Sequence, residues 1–215
     1  MIGDRGAEPG RDCPLCPRLV GFRKANRKAE PSWWNAPVPS FGPGKARLAI
    51  VGLAPGLRGA NRTGRPFTGD FAGDLLYATL IAYGFAAGPY GARPDDGLTM
   101  IDARIVNAVR CVPPQNKPLP QEIRTCNRFL EAELARLRNV AAIVALGKIA
   151  HDAVLLAQGE KPSRFVFGHG AVHRLTTARL FDSYHCSRLN TNTGVLTPKM
   201  FRAVFAKVRA YLGRK

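Results

Sequence analysis

The chain has 215 residues, 46% of them hydrophobic, which suits one compact domain with a full core. Lys and Arg number 32 against 15 Asp and Glu, and the net charge of +17 favours nucleic acid as partner because binding phosphates releases counterions. An anionic membrane surface is the other partner that such a charge suits. No apolar run approaches the roughly 18 residues of a membrane-spanning helix, and the N-terminus lacks the apolar centre of a secretory signal. We therefore expect a cytoplasmic monomer that binds no membrane.

Residues 1–12 are predicted to be disordered, because Gly, Pro and charged residues leave little to bury. Residues 13–215 are predicted to form one domain, which opens with an irregular arm over residues 13–45. Short apolar, β-branched runs predict four buried strands, at residues 47–53, 103–109, 141–147 and 178–184.

Helical patterns fall between and after these strands, at residues 72–84, 121–138, 148–157 and 198–213. Two further short strands are predicted at 164–167 and 171–175. Strands that alternate with helices predict an α/β fold, here a three-layer α/β/α arrangement with a central, four-stranded, mainly parallel sheet.

Four of the five cysteines have a spacing that is typical of a metal site. Cys13 and Cys16 form a C-x-x-C pair flanked by prolines, while Cys111 follows the second strand and Cys126 falls on a predicted helix. A reducing compartment favours metal binding over disulfides, and four thiolates suit an iron–sulfur cluster or zinc. Spacing does not separate these two, and four ordinary buried thiols are the remaining interpretation. The fifth, Cys186, is predicted to be a small packing residue.

Three segments follow predicted strands at one edge of the sheet, where open α/β sheets bind their ligands. They are GLAPGLRGANRTGRPFTGDFAG at 52–73, VNAVRC at 106–111 and YHCSRLN at 184–190. In this order they resemble the uracil-DNA glycosylase superfamily, most closely its fifth family, the type B enzymes of bacteria and archaea. The resemblance covers nearly the whole chain from Cys13 onward.

That resemblance implies a monofunctional DNA glycosylase that removes uracil and other deaminated or modified bases, including hypoxanthine, and so starts base excision repair. It also implies a [4Fe–4S] cluster held by the four spaced cysteines, with zinc as the second choice. The implied partner is double-stranded and single-stranded DNA that contains damaged bases.

The residues of these segments suit the removal of a base that has been flipped out of the duplex. Phe67 can stack on the base, and the amide of Asn107 can read its edge with both a donor and an acceptor. His185 can donate a hydrogen bond to a carbonyl oxygen of the base as negative charge develops there. The resemblance suggests Asp70 as the carboxylate that stabilises the sugar cation or orients water.

Structural roles are the alternatives at these positions. Asp70 could serve only as a helix N-cap, since Asp is a favoured cap. Phe67 and His185 could be core residues. Asn107 would be unusual inside a strand without a hydrogen-bond partner.

The loop after the first strand completes the predicted base pocket with Gly52, Leu53, Ala54 and Gly56. The best-known uracil enzymes have Asp at the third position of this motif and Tyr at the fifth, and the fourth family has Glu at the second. Here these positions hold Ala54, Gly56 and Leu53, so the usual water-activating residue and the ring that excludes thymine are both missing. Cys186 replaces the proline that usually follows the late histidine.

Six residues are predicted to contact DNA outside the base pocket: Asn61, Arg62, Ser187, Arg188, Leu189 and Asn190. The last three could enter the duplex as a wedge and fill the gap left by the flipped base. The basic residues within 18–28 could contact phosphates or form a solvated face, and His169 could touch DNA.

A non-enzymatic, basic nucleic-acid-binding protein with a structural four-cysteine site is the alternative function. Such a protein has no need of Asp70, Asn107 and His185 together. A zinc-dependent nucleotide deaminase is excluded, because no histidine is followed two residues later by the Glu of the H-x-E motif.

Overall fold

A computed structural model of the chain describes residues 8–213. The strands are β1 (Leu48–Gly52), β2 (Ala86–Ala87), β3 (Thr99–Met100), β4 (Ala103–Asn107), β5 (Ala142–Leu146), β6 (Val172–Arg174) and β7 (Arg179–Ser183). The α-helices are α1 (Pro17–Ala29), α2 (Ala60–Thr63), α3 (Phe71–Ala82), α4 (Pro120–Arg136), α5 (Lys148–Ala157), α6 (Arg188–Asn192) and α7 (Pro198–Leu212). Two 3₁₀ turns lie at Pro114–Asn116 and Pro162–Arg164.

The central sheet has five strands in the order β4-β1-β5-β7-β6. Four of them are parallel and correspond to the four predicted strands, while β6 pairs antiparallel with β7 at one edge. The mainly parallel α/β sheet is thereby confirmed, with one more strand than the central four. That strand is the one predicted at 171–175; the segment predicted as a strand at 164–167 instead follows a 3₁₀ turn.

Helices cover both faces of this sheet, as the three-layer prediction requires. One core cluster joins side chains of α3 and α7 to alternate residues of the sheet, among them Ile50 and Ile105. The second cluster joins α4 and α5 to the intervening residues, such as Val51 and Val106. Because both faces are covered, every residue of β1 and β5 is buried, which explains their continuous apolar runs.

The segment predicted to be an irregular arm at 13–45 contains the 13-residue helix α1, so that prediction is wrong over Pro17–Ala29. Pro17 occupies the first turn of α1, a position that proline favours, and basic residues fill its last turn. Only Leu19 and Arg23 of this helix are buried. A helix with so narrow an apolar stripe gives almost no periodic signal in its sequence.

The predicted disordered N-terminus lies largely outside the described residues, which begin at Glu8. The Glu8 carboxylate accepts a hydrogen bond from the Ser40 amide at 2.9 Å and pairs with Arg110 at 3.0 Å. Within residues 8–213 no helix is long and apolar enough to cross a membrane.

Candidate functional site

The floor of the candidate site is formed where β1 and β4 end side by side. Gly52 and Asn107 are register partners on these parallel strands. A Cβ atom at Gly52 would lie 2.5 Å from Asn107 Oδ1 and 2.6 Å from Cζ of Phe67, so only glycine leaves room for both side chains. Asn107 is 3% exposed, and its Oδ1 is buried without a hydrogen-bond partner. An orphaned buried acceptor is costly, which indicates a group kept ready for a ligand.

Phe67 reaches this floor from the loop after α2, with a left-handed backbone (φ 52°) that is unusual for a bulky residue. Its ring stacks with the His185 ring, with centroids 5.9 Å apart and planes 29° from parallel. The Tyr90 hydroxyl donates to the Phe67 carbonyl at 3.2 Å. A Cβ at Gly73 would lie 1.9 Å from that carbonyl oxygen, so the first turn of α3 also packs against this loop. Such locally strained backbone is common at functional sites.

His185 lies just beyond β7, and burial lowers the pKa of its imidazole to about 4. The ring is therefore neutral at pH 7 and offers one N–H donor. Its backbone carbonyl accepts a hydrogen bond from Asn190 Nδ2 at 2.9 Å, which ties His185 to α6. Phe67, Asn107 and His185 thus come together at the carboxyl edge of the sheet.

Asp70 caps α3 and accepts a hydrogen bond from the Gly73 amide at 3.2 Å, so the helix-cap role is confirmed. Burial raises the pKa of its carboxyl, although the backbone amides of the cap work in the opposite direction. Two glycines leave space for its side chain: a Cβ would lie 3.1 Å from Asp70 Oδ2 at Gly56 and 2.4 Å from it at Gly59. A carboxylate that served only as an N-cap could be fully exposed to water. The partial enclosure of Asp70 therefore allows a second role.

The residues after His185 form the short helix α6 rather than an irregular loop. Ser187 caps it by accepting a hydrogen bond from the Asn190 amide at 3.4 Å. Arg188 lies over the Phe71 ring at 5.4 Å, and Leu189 is 71% exposed. A cation and an apolar side chain therefore project together from the rim of the pocket.

The two residues predicted to contact DNA from the first motif differ in placement. Arg62 is exposed on α2. Asn61 is fully buried, and its Nδ2 donates to Asn35 Oδ1 at 2.9 Å. This burial corrects the expectation of a DNA contact at Asn61, because its amide joins the motif loop to the segment at Asn35 and has no surface to offer a phosphate.

The four spaced cysteines converge between the start of α1, the segment after β4, and α4. Cys13, Cys16, Cys111 and Cys126 line one pocket together with the apolar side chains of Leu19 and Phe129. Burial raises the pKa of the Cys111 thiol to about 11 and that of Cys126 to about 12. Two donors face the sulfurs: Arg23 Nη1 lies 3.6 Å from Cys111 Sγ, and the Arg110 amide lies 3.4 Å from Cys126 Sγ.

Arg23 shows what sequence reasoning missed in this region. It belongs to the basic stretch that was expected to contact phosphates or solvent, yet it is 3% exposed and turned toward the cysteines. Its Nη2 also donates to the Cys13 carbonyl at 3.0 Å. The spacing of Cys16 and Arg23, seven residues or two helical turns, would have signalled this once α1 was assigned.

Two residues of the predicted base pocket reach beyond it. The Leu53 carbonyl accepts a hydrogen bond from the Val109 amide at 2.9 Å. Ala54 packs against the apolar cluster that contains Cys126. Residues 53 and 54 therefore connect the base pocket directly to the region of the four cysteines.

Comparison with known proteins agrees with this geometry. A family model described as "Uracil DNA glycosylase superfamily" matches residues 39–209. That span includes the pocket floor, the α3 cap and the helix after His185. The class that the fold and site define is therefore that of the uracil-DNA glycosylase superfamily.

Relatives at high identity narrow the class. A "Type-5 uracil-DNA glycosylase" of Thermus thermophilus is 46% identical over 208 residues, which cover 94% of each chain. Relatives of the same name from Pyrobaculum aerophilum and Mycobacterium leprae are 41% and 43% identical, over 94% of this chain and 90% and 92% of their own. The chain belongs to the uracil-DNA glycosylase superfamily and, within it, to the type-5 group.

Proposed function

We propose that this protein is a monofunctional DNA glycosylase that hydrolyses the N-glycosidic bond of uracil and other deaminated bases in DNA, starting base excision repair. The observation that carries the proposal is the convergence of a stacking ring, a buried amide with an unpartnered oxygen and a neutral histidine, with a half-buried carboxylate at the start of α3 facing the glycines of the same motif loop. A nucleic-acid-binding module would gain nothing from burying Asn107 Oδ1 without a partner, so the enzymatic function is favoured. Activity on genomic DNA would place the enzyme in the cytoplasm.

In this proposal the flipped base enters between the strand ends and stacks on Phe67. The Asn107 amide reads the base edge, because its free Oδ1 can accept a hydrogen bond from the N–H of uracil. Gly52 keeps this contact possible, since any side chain there would collide with both Phe67 and Asn107. Leu53, Ala54 and Gly56 supply the remaining backbone wall of the pocket.

His185 then stabilises the leaving base. Glycosidic cleavage leaves negative charge on the base and positive charge on the sugar. A neutral imidazole in a buried position can donate its N–H to a base carbonyl oxygen, and low local dielectric strengthens that bond in the transition state. The lowered pKa of His185 keeps the ring in this neutral form over the whole physiological range.

In the proposed mechanism, Asp70 lies on the side of the pocket that faces the deoxyribose of the flipped nucleotide. Its ionised carboxylate would stabilise the oxocarbenium-like sugar or orient the attacking water. The cap hydrogen bond fixes its direction, and the missing side chains of Gly56 and Gly59 leave room for its Oδ2. Asp70 is thus the substitute for the acidic residues that positions 53 and 54 lack.

The residues at the rim of the base pocket are proposed to contact the DNA duplex. Leu189 is the wedge, since a largely exposed apolar side chain next to a base pocket can occupy the gap left by a flipped nucleotide. Arg62 and Arg188 are proposed to contact phosphates, while Ser187 and Asn190 fix α6 and the His185 backbone from within. With +17 net charge, a single chain can bind DNA by itself.

We further propose that Cys13, Cys16, Cys111 and Cys126 hold a [4Fe–4S] cluster. A single zinc with Zn–S bonds of about 2.3 Å needs its sulfurs about 3.8 Å apart. Among residues 8–213, these cysteines do not supply three sulfurs that all lie within 4.8 Å of one another. The wider spacing, the apolar lining and the donors from Arg23 and Arg110 fit a larger cluster. Such a group would act structurally by cross-linking α1 to the core.

The function is tested by incubating the purified protein with duplexes that carry uracil, hypoxanthine or only normal bases. Base release should occur from the first two, and the strand should break only after alkali, because a monofunctional enzyme leaves an intact abasic site. Iron analysis of the same preparation should give about four irons per chain. Absence of base release by a protein that binds DNA would favour the binding-module alternative, and one tightly bound zinc would refute the cluster.

Substrate range is predicted to depend on Gly56. Gly56→Tyr should place a ring in the pocket and abolish excision of hypoxanthine while uracil excision persists, because a purine needs more width. The matched control is Gly56→Ala, which adds the same Cβ at 3.1 Å from Asp70 Oδ2 but no ring. Single-turnover rates on both bases provide the measurement. Equal loss on both bases in both variants would mean that displacement of Asp70, not pocket width, is responsible.

A further inference from the structure

Two histidines with no role in the proposed chemistry converge on one buried carboxylate behind the site. His151 of α5 places Nδ1 2.8 Å from Asp182 Oδ1, and His173 of β6 places Nε2 3.0 Å from Asp182 Oδ2. The Asp182 side chain on β7 is 0% exposed, and the two imidazoles are 1% and 15% exposed. A carboxylate so deeply buried is costly unless its charge is balanced.

The hydrogen-bond partners of His151 fix its charge state. Its Nδ1 faces the Asp182 carboxylate, and its Nε2 faces the Phe165 carbonyl oxygen at 3.1 Å. The carbonyl is always an acceptor, and so is an ionised Asp182 carboxylate, whose other oxygen, Oδ2, accepts from the Gly168 amide at 3.3 Å and faces His173. A neutral imidazole has one N–H and can satisfy only one acceptor. With Asp182 ionised, both contacts are made only if His151 is an imidazolium.

We propose that His151 is a buried imidazolium which, with Asp182, clamps the segment from Phe165 to Ala171 against β7 and thereby positions the catalytic His185. This inference rests on the role of His185 in the proposed function. His151, Asp182 and His173 are positioning residues, because none of them reaches the base pocket.

The clamp reaches His185 through backbone contacts. Asp182 holds Gly168 with its side chain, accepts from the Gly170 amide at 2.8 Å, and donates its own amide to the Ala171 carbonyl at 3.0 Å. Between these anchor points His169 is fixed: its ring stacks with Tyr184 at 5.1 Å, and its Nδ1 accepts from the Tyr184 amide at 3.1 Å. Tyr184 immediately precedes His185, so the clamp sets the backbone from which the catalytic imidazole projects.

His169 and His151 need opposite charge states. His169 must be neutral, because its Nδ1 accepts a hydrogen bond from the Tyr184 amide; burial lowers its pKa, and Lys207 of α7 adds to this. For His151, burial opposes the charged form, but the hydrogen bond and charge of Asp182 prevail and raise the pKa, with the Phe165 carbonyl and Asp152 of α5 contributing further. His173 faces the same carboxylate from β6.

The pH dependence follows from the direction of the His151 shift. A pKa raised in the folded state gives a stabilisation that is complete below the unfolded value of about 6.5 and is lost as pH rises through the folded pKa. The clamp should therefore loosen as pH rises through the raised pKa of His151.

A divalent cation is the other species that could join these side chains, since their ligand atoms all lie within 4.8 Å of one another. Each nitrogen–oxygen pair, however, is at ordinary hydrogen-bond distance, and protons satisfy every contact. The proton is therefore favoured, and a metal becomes an outcome of the test.

The direct test measures the protonation of the His151 ring in the purified, cluster-loaded protein. Nitrogen-15 spectra of its histidine side chains, assigned with His151→Gln, should show both ring nitrogens of His151 protonated at pH 7 and one deprotonated at high pH. The His169 ring should be neutral at pH 7. A neutral His151 at pH 7, or spectra that change when a chelator removes a bound zinc, would overturn the proposal. This readout needs no enzymatic activity and no variant that must remain active.

The functional test compares Asp182→Asn with Asp152→Asn, which makes the same chemical change one residue from His151 at an exposed pair with Lys148. Asp182→Asn should slow single-turnover excision roughly 10- to 100-fold at pH 7, as expected for a displaced catalytic group, without weakening DNA binding. It should also lose the alkaline fall in rate that the clamp predicts for the wild type. Asp152→Asn should keep the rate at pH 7 and still show the alkaline fall, displaced slightly to lower pH because Asp152 adds a little to the raised pKa of His151. An unchanged alkaline limb in Asp182→Asn would refute the clamp.

These experiments distinguish a failure of the glycosylase proposal from a failure of the clamp proposal. A wild-type protein with a doubly protonated His151 but no base release would refute the glycosylase function and leave the charge state of the clamp standing. Normal excision with a neutral His151 would refute the clamp alone.

Discussion

Asp70→Asn is expected to slow single-turnover excision of uracil by about 10²- to 10⁴-fold, the range associated with removing a positioned carboxylate from a transition state. Asparagine is as good an N-cap as aspartate and keeps an oxygen for the Gly73 amide, so the start of α3 should be preserved. DNA binding and Tm should therefore change little. The effect would fall on the chemical step, where the negative charge opposite the sugar cation is missing.

Asp74→Asn is the matched control, because Asp74 lies exposed in the first turn of the same helix. It removes an identical charge near the same helix terminus without reaching the pocket. A rate close to wild type in Asp74→Asn and a large loss in Asp70→Asn would locate the effect at the carboxylate. Equal rates in the two variants would mean that Asp70 only caps α3 and that another group acts on the sugar.

Replacement of a proposed cluster ligand should have the largest effect on stability. Cys126→Ser should remove the iron and lower the free energy of unfolding by more than about 4 kcal/mol, since a metal cross-link is lost from three separate segments. For a chain of this size the corresponding loss in Tm is more than about 8 °C. Thermal unfolding followed together with iron content is the measurement. The loop of Ala54 links this region to the pocket, so activity should fall with the fold.

Cys186→Ser provides the comparison within the same chain. Cys186 is fully buried and its Sγ lies 3.5 Å from the Ala72 carbonyl, far in sequence from the cysteine site. The same sulfur-to-oxygen change there should retain the full iron content and cost less stability. If Cys126→Ser keeps its iron, or if both variants lose stability equally, the four cysteines do not hold a structural cluster.

The parallel strands could be predicted because each carries a continuous apolar run, and burial on both faces of a sheet requires just that pattern. The helix α1 could not be predicted in the same way. It is stabilised at its start by Pro17 and through contacts such as the ion pair of Arg18 with Glu122 at 2.7 Å, and such distant partners leave no periodic trace in the sequence. The position of α1 became evident only from the folded structure.

The candidate site, like the fold, could be predicted from the sequence only in part. Motif order indicated Phe67, Asn107 and His185, and their grouping follows from strands that end at one edge of the sheet. The left-handed backbone of Phe67 was not foreseeable, because bulky residues rarely adopt it and only surrounding packing imposes it. The link of His151 and His173 to Asp182 was equally hidden, since it joins residues from three elements that no local motif connects.

The pairing of Gly52 with Asn107 limits how the specificity of this enzyme can be redesigned. Neighbouring strands are held about 4.8 Å apart by their backbone hydrogen bonds, and this spacing is the same in every sheet. The spacing of the strands beneath the pocket floor is therefore set by peptide geometry, which substitutions of side chains do not widen. Variation in the accepted base is expected to come from the walls, where residues 53–56 lie on a loop and residues 185–190 lead into α6, and mutant libraries aimed at new lesions should be confined to those two segments.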